Sequence, residues 1–330
     1  MEKITIGCLS EVALYGDLPR QLDALGTIRD LSSLSGAALR EALADVDVLL
    51  HHPRVHVDAT LVEAAPKLRA ILAPGAGFDG VDLSAATQAG VLVTNQPGCN
   101  AQAVAEHVIG LLLGVSKRIV EGDRLVRSDQ PWTPGTMMNH EVSGRTLGII
   151  GLGAIGKRLA SMAAAAFSLE VVACDPVVDQ ADVDVELVTL EQLLRRSSLV
   201  SLHVPLTPAT RHMIGGAELA LLPTDAILVN TSRGDVVDQQ ALVAALEAGS
   251  LGGAGLDVVQ GEEVAADDPL LASPNVVITP HSAGATYEAV AAQADRQAAA
   301  VADLREGRVP RQVNVLNQDA VQGFLDRFSA

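Results

Sequence analysis

Short apolar runs recur along the chain, each bounded by glycine, proline or polar residues, and stretches with apolar positions three and four apart lie between them. In the first third, Ile4–Cys8, Val46–Leu50, Ala70–Ala73 and Val91–Thr94 have the length and composition of buried strands. Gly36–Leu43, Asp58–Ala65 and Leu83–Gln88 read as helices between them, the second with Asp58 as its N-cap. Strands alternating with helices predict a parallel sheet covered on both faces. This makes a complete small α/β domain before residue 97.

From Asn100 to about Ser128 the apolar positions Val104, Val108, Leu111, Leu112 and Val115 keep helical spacing, which predicts one long helix. Residues 128–144, with Pro131, Trp132, Pro134, Gly135 and Gly144, read as a loop. The strand–helix rhythm then restarts, with strands at Thr146–Ile150, Val171–Cys174, Leu199–Leu202, Ala226–Asn230, Gly252–Leu256 and Val276–Thr279. Residues 285–306 form a long Ala-rich helix, and the tail from Gly307 reads as irregular.

Composition narrows the class. At 330 residues the chain can hold two cores, and 48% hydrophobic with 19% charged residues marks an ordered globular protein. A formal charge of −17 argues against nucleic acid or anionic membrane as partners, since both require basic surface. No apolar stretch approaches a membrane span and the first residues lack a signal-peptide core, so the expectation is cytoplasmic. Cys8, Cys99 and Cys174 are widely spaced and suit reduced thiols better than a metal or redox site.

The densest chemical signal is the run Thr146-Leu-Gly-Ile-Ile-Gly-Leu-Gly-Ala-Ile-Gly156. A strand runs straight into Gly151, Gly153, Ala154, Ile155 and Gly156 and then into a helix. Gly151 allows the tight turn, Gly153 lets a pyrophosphate approach the backbone, and Gly156 lets helix and strand pack closely. The diphosphate would sit on the free N–H groups at that helix end. The next strand ends at Asp175, near the offset of about twenty residues where a carboxylate meets the adenosine ribose. This predicts a bound dinucleotide, and NAD rather than NADP because Asp175 would repel a 2′-phosphate.

In open α/β sheets ligands bind beyond the carboxyl ends of strands. Three such ends carry chemistry: Thr231-Ser232-Arg233-Gly234, then Asp257 with Glu262 five residues on, then Pro280-His281. An arginine, a carboxylate and a histidine past three strand ends can gather beside a nicotinamide. Reducing a 2-oxo acid places a hydride on C2 and a proton on the developing alkoxide. A histidine can supply the proton, and a guanidinium can grip the carboxylate with two parallel hydrogen bonds.

The chain at this point resembles the D-isomer-specific 2-hydroxyacid dehydrogenase family over nearly its whole length. The resemblance rests on Gly75-Ala-Gly-Phe-Asp79, Asn95-Gln-Pro-Gly-Cys-Asn100 leading into Ala103-Val-Ala-Glu-His107, the glycine fingerprint, His203-Val-Pro-Leu-Thr207, Asn230-Thr-Ser-Arg-Gly234, Gly255-Leu-Asp257 and Pro280-His-Ser-Ala-Gly-Ala-Thr286. It implies two doubly wound parallel-sheet domains. A Rossmann NAD-binding domain (98–287) is inserted into a smaller flavodoxin-like substrate domain (1–97 with 288–330), the active site lying in the cleft. It implies that Arg233 binds the substrate carboxylate and 2-oxo group, His281 is the acid/base and Glu262 orients His281. Asp257 would hold the nicotinamide carboxamide, Asp175 the ribose, and the backbone at Ala76 and Gly77 the substrate carboxylate. Val104, His203, Pro205, Thr231 and Ser232 complete the expected cofactor pocket. Family members are usually dimers, with the long helix and the Trp132 loop at the interface, so a homodimer is expected.

The chain departs from the family pattern at Gly80, where asparagine is common, and at Glu263, where a proline often follows the acid; Glu262 and Glu263 both remain open as the partner of His281. A short polar acid such as glyoxylate or hydroxypyruvate is the expected substrate, then 3-phosphohydroxypyruvate as in a phosphoglycerate dehydrogenase. Arg54 is the one basic candidate for the distal end of the substrate. A different class, a non-catalytic NAD-sensing protein like the family's corepressors, would keep the same residues. His52 and His56 lack further ligands and Pro53 breaks a helix there, so no metal site is expected. His107 reads as part of the helix packing, and His140 and His212 as loop residues.

Overall fold

The computed structural model describes residues 3–10, 16–52 and 55–328. Arg54, the candidate for the distal end of the substrate, lies outside the described residues. Two compact units emerge: residues Met1–Asn100 with Ala285–Ala330, and Ala101–Gly284 between them in sequence.

The first unit contains β1 (Ile4–Cys8), β2 (Gly26–Asp30), β3 (Val48–Leu50), β4 (Ala70–Leu72) and β5 (Leu92–Asn95). The second contains β6 (Thr146–Ile150), β7 (Glu170–Cys174), β8 (Glu186–Leu187), β9 (Leu199–Leu202), β10 (Ile227–Asn230), β11 (Gly253–Leu256) and β12 (Val276–Ile278). A last strand, β13 (Asn314–Val315), returns to the first sheet. The first sheet has the order β13-β5-β4-β3-β1-β2, parallel except for β13, which runs antiparallel to β5. The second has the order β12-β11-β10-β9-β6-β7-β8 and is parallel throughout. Both are doubly wound, the first in flavodoxin-like order and the second in Rossmann order about β6.

Period-2 alternation puts an apolar core on each face. In β3 and β4, Val48, Leu50, Ala70 and Leu72 face one cluster while Leu49 and Ile71 face the other. In the second sheet, Leu228 and Val200 face one cluster while Leu147, Ile149 and Val229 face the other. Burying each such leucine, isoleucine or valine contributes roughly 1.5–3 kcal/mol.

Two expectations are corrected and one strand is added. The helix expected over 100–128 is two helices, Ala101–Ser116 and Ile119–Arg127, with Arg118 between them in the left-handed region at φ 51°. The Ser116 carbonyl accepts from His140 N–H (3.0 Å) and its hydroxyl donates to His140 O (2.8 Å), so the returning loop takes over the helix end. The tail is ordered: β13 pairs with β5, and a helix at Ala320–Phe328 buries Phe324 completely. Finally β2, an edge strand with only Ile28 as a large apolar residue, pairs with β1 although its sequence shows no apolar run.

Candidate active site

The glycine loop follows β6. Gly151 adopts φ 97°, and a Cβ there would lie 2.6 Å from His203 O, so the turn requires glycine. At Gly156 a Cβ would lie 2.3 Å from Gly151 O, which fixes how closely the helix Ala154–Phe167 approaches its strand. Gly153 differs: its missing Cβ faces open space, and it caps the helix with no side-chain hydrogen bond. Among the described residues no side chain caps the first-turn N–H groups beyond Gly153, at Ala154 and Ile155, an arrangement that suits an anionic ligand. Asp175, at the end of β7, accepts from Leu152 N (2.8 Å) and Val177 N (3.0 Å), tying the loop to the next strand.

Beyond β9, the His203 ring contacts Ser201 Oγ (2.9 Å), and burial pushes its imidazole down to about 4, so it is neutral near pH 7. Its Nδ1 and the Thr231 hydroxyl are buried polar atoms with no protein partner among the described residues. An open cradle at Gly153, an uncapped helix end and an orphaned hydroxyl past β10 suit a dinucleotide with polar groups along its length. Pro205 O accepts from Thr210 Oγ1 (2.6 Å), which shapes the same strand end. Val104 is buried in the helix Ala101–Ser116.

Arg233, Glu262 and His281 follow the successive strands β10, β11 and β12, which lie side by side in the sheet. Asn230 shapes the first turn: its Oδ1 accepts from Ser232 N (3.0 Å) and Ser232 Oγ (2.8 Å), and its Nδ2 donates to Arg233 O (2.8 Å). A Cβ on Gly234 would fall 1.9 Å from Val259 O, so this turn lies directly on the loop that leads to Glu262.

Glu262 Oε2 stands 3.3 Å from His281 Nδ1, both side chains about one-third exposed. The structure thus brings Glu262, of the two adjacent acids, to the histidine. Glu262 (φ 63°) and His281 (φ 53°) both occupy the left-handed region, which costs a non-glycine residue on the order of 1–3 kcal/mol. His281 N–H donates to Asp257 O (2.8 Å) and Thr279 O (3.0 Å). The buried Asp257 carboxylate accepts from Thr279 Oγ1 (2.5 Å), Ser282 N (2.9 Å) and Ala283 N (2.8 Å). Asp257 is thereby the anchor of the His281 turn, with lone-pair capacity left for a further donor.

In the first unit, the loop after β4 is tied to the end of β5. Gly75 O accepts from Gln96 N (2.7 Å) and Ala76 O from Asn95 Nδ2 (2.7 Å). Gly80 stands where His51 packs: a Cβ there would be 3.0 Å from His51 Nε2.

A family model for "D-isomer specific 2-hydroxyacid dehydrogenase, NAD binding domain" matches residues 109–283, more than half of the chain. The chain belongs to the D-isomer specific 2-hydroxyacid dehydrogenase family. It is similar to the glyoxylate reductase of Korarchaeum cryptofilum, 41% identical over 89% of this chain and 90% of the relative. It is also 36% identical to the D-3-phosphoglycerate dehydrogenase of Methanocaldococcus jannaschii over 84% of this chain but 53% of that longer protein. Among solved structures, the TT0316 protein of Thermus thermophilus superposes with a TM-score of 0.87 at 33% identity, covering 94% of this chain and 100% of that one. As a 2-hydroxyacid dehydrogenase the protein is an NAD-dependent oxidoreductase acting on small 2-oxo and 2-hydroxy acids.

Within this dehydrogenase, two residues make contacts that no local pattern in the sequence shows. His107 is more than a packing residue: its Nε2 lies 2.9 Å from Thr279 Oγ1 and 3.5 Å from Asp257 Oδ1, behind the His281 turn. Helical periodicity placed His107 on the helix but carried no signal for a partner in a strand far along the chain. Asn230 was visible only as part of a motif. Among the described residues no helix is long and apolar enough to cross a membrane.

Proposed function

We propose that this 2-hydroxyacid dehydrogenase reduces glyoxylate, or a similarly short polar 2-oxo acid such as hydroxypyruvate, with NADH. The observation that carries the reading is the Glu262–His281 pair at 3.3 Å, with Arg233 on the neighbouring strand end. Bound NADH supplies the hydride. Arg233 takes the substrate carboxylate and 2-oxo oxygen, fixing C2 in position. Protonated His281 delivers a proton to the oxygen at C2, and Glu262 holds the ring through Nδ1, leaving Nε2 to face substrate.

The Ala76 and Gly77 N–H groups hold the carboxylate as well. The free N–H groups after Gly153 take the diphosphate, and Asp175 the ribose hydroxyls. Asp257 keeps one acceptor position for the carboxamide, while Val104, His203, Pro205, Thr231 and Ser232 line the pocket. The glyoxylate reductase likeness over 90% of that relative favours the two-carbon acid over a phosphorylated one.

The test is a panel of glyoxylate, hydroxypyruvate, 3-phosphohydroxypyruvate and a bulky apolar 2-oxo acid, each with NADH. The highest kcat/KM is expected for one of the first two. A clear preference for the phosphorylated or the apolar acid would overturn the assignment.

The same reading includes a homodimer. Helix Ile119–Arg127 buries none of its residues, and Ile119 (57%), Val126 (58%), Trp132 (52%) and Met138 (78%) expose apolar surface close together in sequence. Light scattering at micromolar concentration should give twice the chain mass; a monomer would refute the dimer.

A further inference from the structure

We propose that Asn95 and Asn314 form a positioning relay that aims the Ala76 and Gly77 N–H groups at the substrate carboxylate. The inference rests on the reading that these two N–H groups hold that carboxylate, and it gives the short returning strand β13 a part in substrate binding.

The geometry begins with register. β13 runs antiparallel to β5 with Asn314 directly opposite Asn95, so their side chains meet on one face of the sheet. Asn314 Nδ2 donates to Asn95 Oδ1 (3.0 Å), and Asn95 Nδ2 donates to Ala76 O (2.7 Å). The chain of donors has one direction. Turning the Asn95 amide over would set an NH2 against an NH2 at Asn314 and an oxygen against the Ala76 oxygen, losing both bonds. Asn95 is 5% exposed, so with Asn314 in place little water reaches its amide; Asn314 itself is exposed.

The consequence follows from the trans peptide, in which C=O and N–H of one unit point opposite ways. Drawing Gly75 O toward Gln96 N turns the Ala76 N–H away from β5. Drawing Ala76 O toward Asn95 turns the Gly77 N–H the same way. Two successive N–H groups with one orientation make a concave anion site. Ala76 is exposed, and among the described residues neither N–H donates to a protein acceptor. Without the Asn95 bond the Ala76–Gly77 peptide unit can rotate, and the second donor loses its aim.

The experiment compares Asn314→Ala, Asn314→Ser, Asn95→Asp and Gly77→Pro with the wild type. The readouts are KM for glyoxylate, Ki for the non-reducible analogue oxamate, kcat, NADH affinity and melting temperature. Asn314→Ala should raise KM and Ki about fivefold to tenfold while kcat and NADH affinity stay within about twofold. Asn314→Ser, which keeps a donor, should recover part of the loss. Asn95→Asp, which turns an acceptor toward Ala76 O, should raise both constants further.

Gly77→Pro removes one N–H outright and tests the underlying reading. If it leaves KM and Ki unmoved, the carboxylate does not bind there and the relay falls with it. If Gly77→Pro raises both constants but Asn314→Ala does not, the relay alone is wrong. A parallel fall in kcat, NADH affinity and melting temperature for Asn314→Ala would mean that β13 holds the fold and aims nothing.

Discussion

Replacing Gly234 with alanine asks whether the contact between two loops sets the spacing of Arg233 and Glu262. The added carbon would sit 1.9 Å from Val259 O, 2.1 Å from Val259 C and 2.5 Å from Gln260 N, all main-chain atoms. Real Cβ contacts essentially never fall below 3.0 Å, so the loops must part by roughly 1 Å, a displacement that can cost a catalytic arrangement about 10²-fold in rate. Gly234 is not among the residues with positive φ, so the cost comes from packing and not from torsion. In glyoxylate reduction kcat/KM should fall about 10²-fold, with a stability loss of about 1–3 kcal/mol. NADH affinity, measured by fluorescence titration, should fall less than kcat/KM: Thr231, Ser232 and Asp257 lie on the displaced loops, but the Gly151–Gly156 loop follows a different strand. Gly234→Ser should behave alike, since it adds the same Cβ. A folded Gly234→Ala enzyme with wild-type kinetics would refute the argument.

Three further outcomes are expected. Burial holds His203 at about 4 against an ordinary 6.5, so below about pH 6.5 the unfolded chain takes up a proton that the folded chain refuses. Stability should therefore fall from about pH 6.5 towards 4, by about 3 kcal/mol from this residue; urea midpoints should show a shallower acid slope in His203→Asn, and an unchanged slope would contradict it. The buried His51, also lowered by desolvation, acts in the same direction and contributes to the slope that remains, as do carboxylates lowered by their hydrogen-bond partners, such as Asp45 and Asp182. Asp175→Ser should shift the NADPH-to-NADH ratio of kcat/KM towards NADPH by about tenfold or more while weakening NADH, since Asp175 also ties Leu152 N; an unchanged ratio would remove Asp175 from cofactor choice. His107→Leu, which breaks the contact with Thr279, should lower kcat about tenfold with glyoxylate KM nearly constant; wild-type kcat would limit His107 to packing.

The parts legible in the sequence were those governed by short-range rules. Short apolar runs located most strands, and the glycines at 151 and 156 announced their turn because each answers a local steric demand, while Gly153 leaves open space at the helix end. The two doubly wound parallel-sheet architectures followed from the strand–helix rhythm and the resemblance together. What escaped depended on distant partners. Arg118 breaks a helix with no proline or glycine at the break, because His140 captures the Ser116 carbonyl from a loop more than twenty residues away. The tail strand is two residues long and takes its meaning from β5. Likewise, the choice of Glu262 over Glu263 rests on backbone at φ 63°, a conformation that sequence alone does not assign to glutamate.

The central claim, that His281 moves the proton while the rest of the chain binds and orients, is tested most directly by His281→Ala. Rapid mixing of the NADH-loaded enzyme with saturating glyoxylate, followed by loss of NADH absorbance, reads the hydride step in a single turnover. The expected result is a rate lower by about 10²–10⁴-fold with NADH affinity and oxamate binding retained. A His281→Ala enzyme that reduces glyoxylate at the wild-type rate would contradict the account.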